Sequence, residues 1–261
     1  MCYNAKKDRG VFWVKKIIVR ALIIIFAAVF VFSGYNVIKI LTENKKANTL
    51  YTGIQNEYTT PVVPNAEEEA EENPLPISVD FTALRERNSD VVGWLILPDT
   101  VLNYPVVQAA NNEKYLRKDL EGKKLTAGTL FVDYRCGPVG EDTNYIIYGH
   151  NMRNGSMFKT VTDYKNQEFF DANPVIYYLT PDKSFKIEPV AGLVVPDKDE
   201  LYKLELDNAQ MVEYINKSLE RSTFKSATAF TEQDSFITLS TCSKEYENAR
   251  FVLIGKLTEV N

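Results

Sequence analysis

Phe236 to Leu257 reads FITLSTCSKEYENARFVLIGKL: two apolar, β-branched runs joined by the seven-residue polar loop SKEYENA. Such runs favour extended backbone, and a short polar loop between them predicts a hairpin. Cys242 closes the first run and Arg250 opens the second. A hairpin therefore returns the guanidinium to the edge at which the thiol is presented.

Working outward, six further runs share this character: Gly93 to Pro98, Val101 to Val107, Thr129 to Tyr134, Asn144 to Tyr148, Pro174 to Leu179 and Phe185 to Val195. Turn residues bound most of them. With Phe236 to Thr241 and Arg250 to Leu257 they make eight, and eight short strands in one domain predict a closed or nearly closed β-barrel, a mainly β fold with short helices. Helical spacing is limited to Asp80 to Asn88, single turns or short helices at Asn112 to Lys118 and Met157 to Tyr164, and one longer helix, Asn208 to Ser222. That last helix places Met211, Tyr214, Ile215 and Leu219 on one apolar face.

The amino-terminal part is of another kind. Ile17 to Ile38, IIVRALIIIFAAVFVFSGYNVI, is long enough to cross about 30 Å of hydrocarbon as a helix. Its one charge, Arg20, lies near an end, where it snorkels to the interface. Lys6, Lys7, Arg9, Lys15, Lys16 and Arg20 stand against the single acid Asp8, which predicts a cytoplasmic amino terminus and the rest of the chain outside the cell membrane. No small-x-small cleavage site follows, so the segment reads as an uncleaved signal anchor. Glu57 to Pro76, EYTTPVVPNAEEEAEENPLP, is too acidic and proline-rich to bury much apolar surface and reads as a disordered tether. The expected organisation is a basic tail at 1–16, a single-pass anchor at 17–38, a partly disordered linker at 39–77 and a catalytic barrel domain at 78–261.

A net charge of -5 excludes a general nucleic-acid binder, which needs a basic face to neutralise phosphates. Cys2, Cys136 and Cys242 are too few and too scattered for a disulfide scaffold or a zinc site. No metal or cofactor is expected, and Cys136 reads as structural. The one histidine, His150, follows the run NYIIY after Gly149 and so also sits at a strand exit. Local pattern does not say which rim of the barrel that exit faces.

A strand-end cysteine, a histidine and an arginine suit acyl transfer. The thiolate is the nucleophile, cations favour it, an imidazole carries the proton to the departing amine, and a guanidinium holds substrate or oxyanion.

Thr238 to Cys242 (TLSTC) with Arg250 downstream, and Tyr148 to Met152 (YGHNM), resemble the class B sortases. The resemblance extends through Val92 to Trp94 (VGW), Tyr104 to Gln108 (YPVVQ), Tyr115 to Leu116, Phe131 to Arg135 (FVDYR) and Gly155 to Phe158 (GSMF). It implies an eight-stranded sortase barrel on the outer face of a Gram-positive-type membrane. It also implies a cysteine transpeptidase that cleaves a carboxy-terminal sorting signal of surface proteins after Thr. The thioester so formed passes its acyl group to an amine of a cell-wall precursor or of a pilin. By the same resemblance Cys242 is the nucleophile, His150 the acid/base and Arg250 the substrate and oxyanion contact, while Asn112, Leu116, Ser240 and Tyr202 line the substrate groove. Ser243 departs from the pattern: an acid touching substrate is expected there in relatives, which leaves the preferred peptide open. A cysteine peptidase or thioesterase releasing product to water, and a non-catalytic peptide-binding barrel, are the competing readings.

Overall fold

The computed structural model describes residues 4–62, 75–204 and 206–260. Helix α1 (Asn4–Tyr58) is followed by the short strand β1 (Thr59–Pro61) and, after the acidic segment, by β2 (Ile77–Val79), its antiparallel partner. Then come α2 (Phe81–Arg87), β3 (Val91–Ile96), β4 (Asn103–Val107), β5 (Leu130–Val132) and β6 (Asn144–Tyr148). A 3-10 turn, Thr160–Lys165, leads into α3 (Gln167–Ala172), β7 (Ile176–Leu179), β8 (Ser184–Pro196), α4 (Asn208–Ser218), β9 (Ser235–Cys242) and β10 (Ala249–Val260).

Strands β3 to β10 close into a barrel in the order β10-β8-β7-β3-β4-β5-β6-β9, with β9 hydrogen-bonded back to β10. All eight expected runs are strands of it, with ends shifted by a few residues. The pairs β4–β5 and β6–β9 are parallel, and the other neighbours are antiparallel. Closure leaves no unpaired edge within the barrel and encloses Leu95, Val106, Leu130, Ile147, Ile187, Leu239 and Leu253 in its core.

The helices cover what the barrel leaves. Asp80 caps α2 by accepting from the Ala83 N–H at 2.9 Å, within the run expected to be helical. Asp207 and Gln210 form a capping box at the start of α4, which lays Met211, Tyr214 and Ile215 on Val190, Leu193 and Val252. Leu219 does not join that face: the helix tightens to a 3-10 turn at Leu219–Arg221, which rotates the side chain outward, and it is 42% exposed. Asn112 to Lys118 forms turns and not a helix.

Two compact units divide the chain, Met1–Lys46 and Ala47–Asn261. In the first, a candidate membrane-crossing stretch begins at Ile18, with mean hydropathy 2.3 and its apolar side chains unburied. The second begins well before the domain start expected at residue 78. From Ala47, α1 places Ala47, Tyr51, Ile54 and Tyr58 on one helical stripe within the barrel's main core. A linker reading of 39–77 overlooks that stripe because polar residues separate its members. Glu57 and Tyr58 of the expected tether lie in α1 and its next residues pair with β2, whereas the cluster Glu67 to Glu72 lies outside the described residues.

Candidate active site

The site is set by which strands end together. In the β9–β10 hairpin Cys242 and Arg250 are direct cross-strand partners. The connecting loop closes with the Ser243 N–H donating to the Ala249 carbonyl at 2.9 Å, and Asn248 takes the left-handed conformation (φ 60) that asparagine tolerates. On the other side, β6 runs parallel to β9 with Tyr148 opposite Ser240. Parallel strands leave the sheet at the same rim, so His150, two residues past Tyr148, emerges beside Cys242, two residues past Ser240.

The two exits are tied together directly. The Gly149 N–H donates to the Ser240 carbonyl at 3.1 Å, the Thr241 hydroxyl to the Gly149 carbonyl at 2.7 Å, and the Asn151 amide to the Cys242 carbonyl at 3.1 Å. A side chain at position 149 has no room, because a Cβ there would stand 2.5 Å from Leu130 Cδ2 and 2.6 Å from the Phe158 ring.

These exits open on a cavity of about 390 Å³. Cys242, His150 and Arg250 line it, as do Asn112, Leu116, Ser240 and Tyr202, so all seven residues singled out in the sequence meet at one place. Cys242 is exposed and His150 half-buried. Nε2 of His150 lies 2.6 Å from the Leu116 carbonyl oxygen. A carbonyl only accepts, so Nε2 carries the hydrogen and Nδ1 is left as the free base. Burial holds the imidazole below its ordinary value of 6.5; the Leu116 bond opposes that shift and the nearby Arg117 charge adds to it. The ring is accordingly neutral at pH 7. Arg250 is held loosely, by the Ala249 carbonyl at 3.2 Å, the Asn248 carbonyl at 3.4 Å and Asp197 at 3.9 Å.

Beneath the groove lies a polar network that the sequence reading missed. Asp133 is fully buried. It accepts from Arg135 Nε and a terminal guanidinium nitrogen, both at 2.9 Å, from the Tyr148 hydroxyl at 3.0 Å and from the Asn112 amide at 3.1 Å. Burial alone would raise its pKa, but the Arg135 guanidinium and these donors hold the carboxyl below the usual range. Arg135 continues to the Tyr202 carbonyl at 3.2 Å, Tyr202 stacks on Tyr148, and its hydroxyl meets Ser240 Oγ at 2.7 Å. An aspartate inside the apolar run FVDYR is the signal that points to it, since a buried charge requires partners.

Ser243, where an acid was expected, turns its hydroxyl to Glu245 and accepts from Lys165 Nζ at 2.8 Å. Lys165 first and Ser243 second push the Glu245 carboxyl down to about 2. Cys136 is buried outside the cavity, is not disulfide-bonded, and has its thiol pushed up to about 12 by burial, in keeping with a structural role.

Comparison with known proteins agrees with this layout. The Sortase domain family matches residues 95–258. Sortase B of Listeria monocytogenes is 32% identical over 250 residues, covering 94% of this chain and 98% of that protein. Among solved structures, the Staphylococcus aureus sortase B–substrate complex superposes with a TM-score of 0.71 at 26% identity, covering 84% of this chain and 100% of that one. A Bacillus anthracis sortase B structure gives 0.70 at 30% identity with the same coverage. The chain belongs to the sortase family, in class B, and is a cysteine transpeptidase that acts on surface proteins.

Proposed function

We propose that Cys242 is the nucleophile, His150 the proton carrier and Arg250 the oxyanion and substrate contact in cleavage of a sorting signal after its Thr. The observation that carries this reading is the shared cavity: one exposed thiol, the chain's one imidazole and a loosely held guanidinium converge at one rim. Neutral His150 takes the thiol proton at Nδ1, and the sulfur attacks the scissile carbonyl. Arg250 donates to the oxyanion of the tetrahedral intermediate. The intermediate collapses to a thioester as Nδ1–H protonates the departing amine. An incoming amine then attacks the thioester, gives a proton to Nδ1, and the sulfur leaves with the new amide bond formed.

The groove floor supports a peptide as the donor substrate. Asn112 is oriented at both ends, its amide nitrogen on Asp133 and its carbonyl accepting from the Tyr134 N–H at 3.0 Å, and Tyr202 and Ser240 are fixed against each other. Side chains already held in place lose little freedom on binding an extended chain. The acceptor is an amine of a cell-wall precursor or a pilin, and the barrel stands outside a membrane crossed by α1, with the basic amino terminus in the cytoplasm.

Incubating the full-length chain in detergent with a library of sorting-signal peptides, with and without an amine acceptor, tests the reading. A thioester adduct on Cys242 by mass spectrometry, and an amide product that appears only with amine, are expected. Turnover by Cys242→Ala equal to wild type would sink it, and equal release of hydrolysed product with and without amine would favour a peptidase.

A further inference from the structure

We infer that Tyr51, in the part of α1 leading into the barrel domain, is a positioning residue that holds His150 from both sides. The inference rests on the reading of His150 as the proton carrier, and it begins from the buried stripe Ala47, Tyr51, Ile54 and Tyr58. Tyr51 is 3% exposed, and burial raises its pKa, so its phenol remains a donor.

One arm runs through the wall that hydrogen-bonds the imidazole. The Tyr51 hydroxyl donates to the Gly128 carbonyl and lies 3.1 Å from Thr129 Oγ1. Gly128 is packed so closely on the next turn that a Cβ there would stand 2.5 Å from the Leu116 carbonyl oxygen, the same oxygen that holds His150 Nε2. Thr129 clasps this turn from the other side, its N–H donating to the Tyr115 carbonyl at 3.1 Å and its hydroxyl to the Lys118 carbonyl at 2.9 Å.

The second arm runs through the loop that carries the imidazole. The Tyr51 ring meets Tyr104 edge to face, with centroids 5.2 Å apart. The Tyr104 hydroxyl accepts from the Met157 N–H at 3.2 Å, and the Phe158 N–H donates to the His150 carbonyl at 2.9 Å. Met157 sits in the left-handed region (φ 56), a conformation that persists only where neighbours enforce it. One phenol thus backs both the acceptor of the His150 hydrogen bond and the loop that presents the ring. Packing of the anchor-adjacent helix thereby sets the geometry of proton transfer.

The single histidine makes this testable without relying on activity. In the full-length chain, labelled at histidine and held in detergent micelles, the imidazole titration is followed by NMR. Arg117, Cys242, Arg250, Asp133, Arg135, Asp197, Tyr148 and Tyr202 are the charged or titratable groups around the ring, and among the described residues no hydrogen bond joins any of them to Tyr51. Tyr51→Phe is expected to lower the midpoint further, because the Leu116 bond opposing desolvation is loosened, and to reduce kcat/KM roughly three- to tenfold. Ile54→Ala, which removes packing from the same stripe but takes part in none of the hydrogen bonds of either arm, is expected to lower the melting temperature and leave the midpoint alone. A midpoint in Tyr51→Phe that is unchanged or raised, or an equal shift in Ile54→Ala, overturns the inference. Should Tyr51→Phe fail to fold, Tyr104→Phe, which removes the acceptor of the second arm, is read by the same criterion. A lowered midpoint with undiminished turnover supports the positioning and counts against His150 as proton carrier, so the two readings fail separately.

Discussion

Cys242 has two flanks, and they are built differently. On one, Arg250 arrives through a hairpin whose loop is the six residues 243–248, so neighbouring sequence delivers neighbouring space. On the other, His150 arrives through a parallel pairing between segments 92 residues apart in sequence, as the Thr241–Gly149 bond measures. The first flank is local in its backbone pairing, with one long-range contact at its loop, the Lys165–Glu245 ion pair; the second is long-range throughout, tightly packed, and depends on a glycine. Local construction tolerates change in side chains, whereas the long-range flank fails when packing is disturbed.

The deepest loss is expected from Cys242→Ala, which removes what the flanks share: no thioester forms, and turnover falls to background in a peptide-cleavage assay. Next comes His150→Gln, expected to reduce kcat by about 10²- to 10⁴-fold, the range for loss of a general acid–base group. Its counterpart Arg250→Lys keeps the charge but loses the planar fork, and a fall of roughly tenfold in kcat/KM is expected. A reversed order of these two variants would make the hairpin flank the chemically dominant one.

Gly149→Ala sharpens the structural side of the contrast. Its methyl collides with Leu130 and Phe158, so about 1–3 kcal/mol of destabilisation and a lower melting temperature are expected, with activity impaired. Wild-type melting and activity in this variant would show that the exit of β6 is more yielding than its packing implies.

The smallest effect belongs to Glu245→Gln. The carboxyl titrates near 2 in the folded chain against an ordinary 4.5, so its ion pair contributes stability above about pH 4.5 and loses it as pH falls toward 2. Because Glu245 is exposed, solvent screening keeps the difference below about 1 kcal/mol at neutral pH. Thermal unfolding of both forms, compared at neutral pH and at about pH 2, is expected to show the gap closing; a gap that persists in acid would assign the effect to packing.

The same contrast between local and long-range construction separates what could be read in the sequence from what could not. Each strand is legible by itself, because apolar and β-branched runs such as NYIIY and FITLST carry their own signal. The α1 stripe is written at helical spacing, yet Lys46, Asn48, Asn56 and Glu57 around it hide the pattern, and only the barrel surface that receives Tyr51 and Ile54 gives it meaning. Asp133 is likewise one letter in FVDYR until burial forces Arg135, Asn112 and Tyr148 to converge on it.

By itself the sequence determined the strand inventory, the anchor-like apolar run and the nearness of thiol and guanidinium, because propensity and a short loop act within a few residues. Tertiary structure decided the rest: that β6 lies parallel beside β9, that the imidazole therefore shares a rim with the sulfur, and that Nε2 is committed to Leu116. Those outcomes depend on barrel closure, in which a strand's neighbour is chosen by the whole set of pairings and by the entropy of the long connections that each pairing must close.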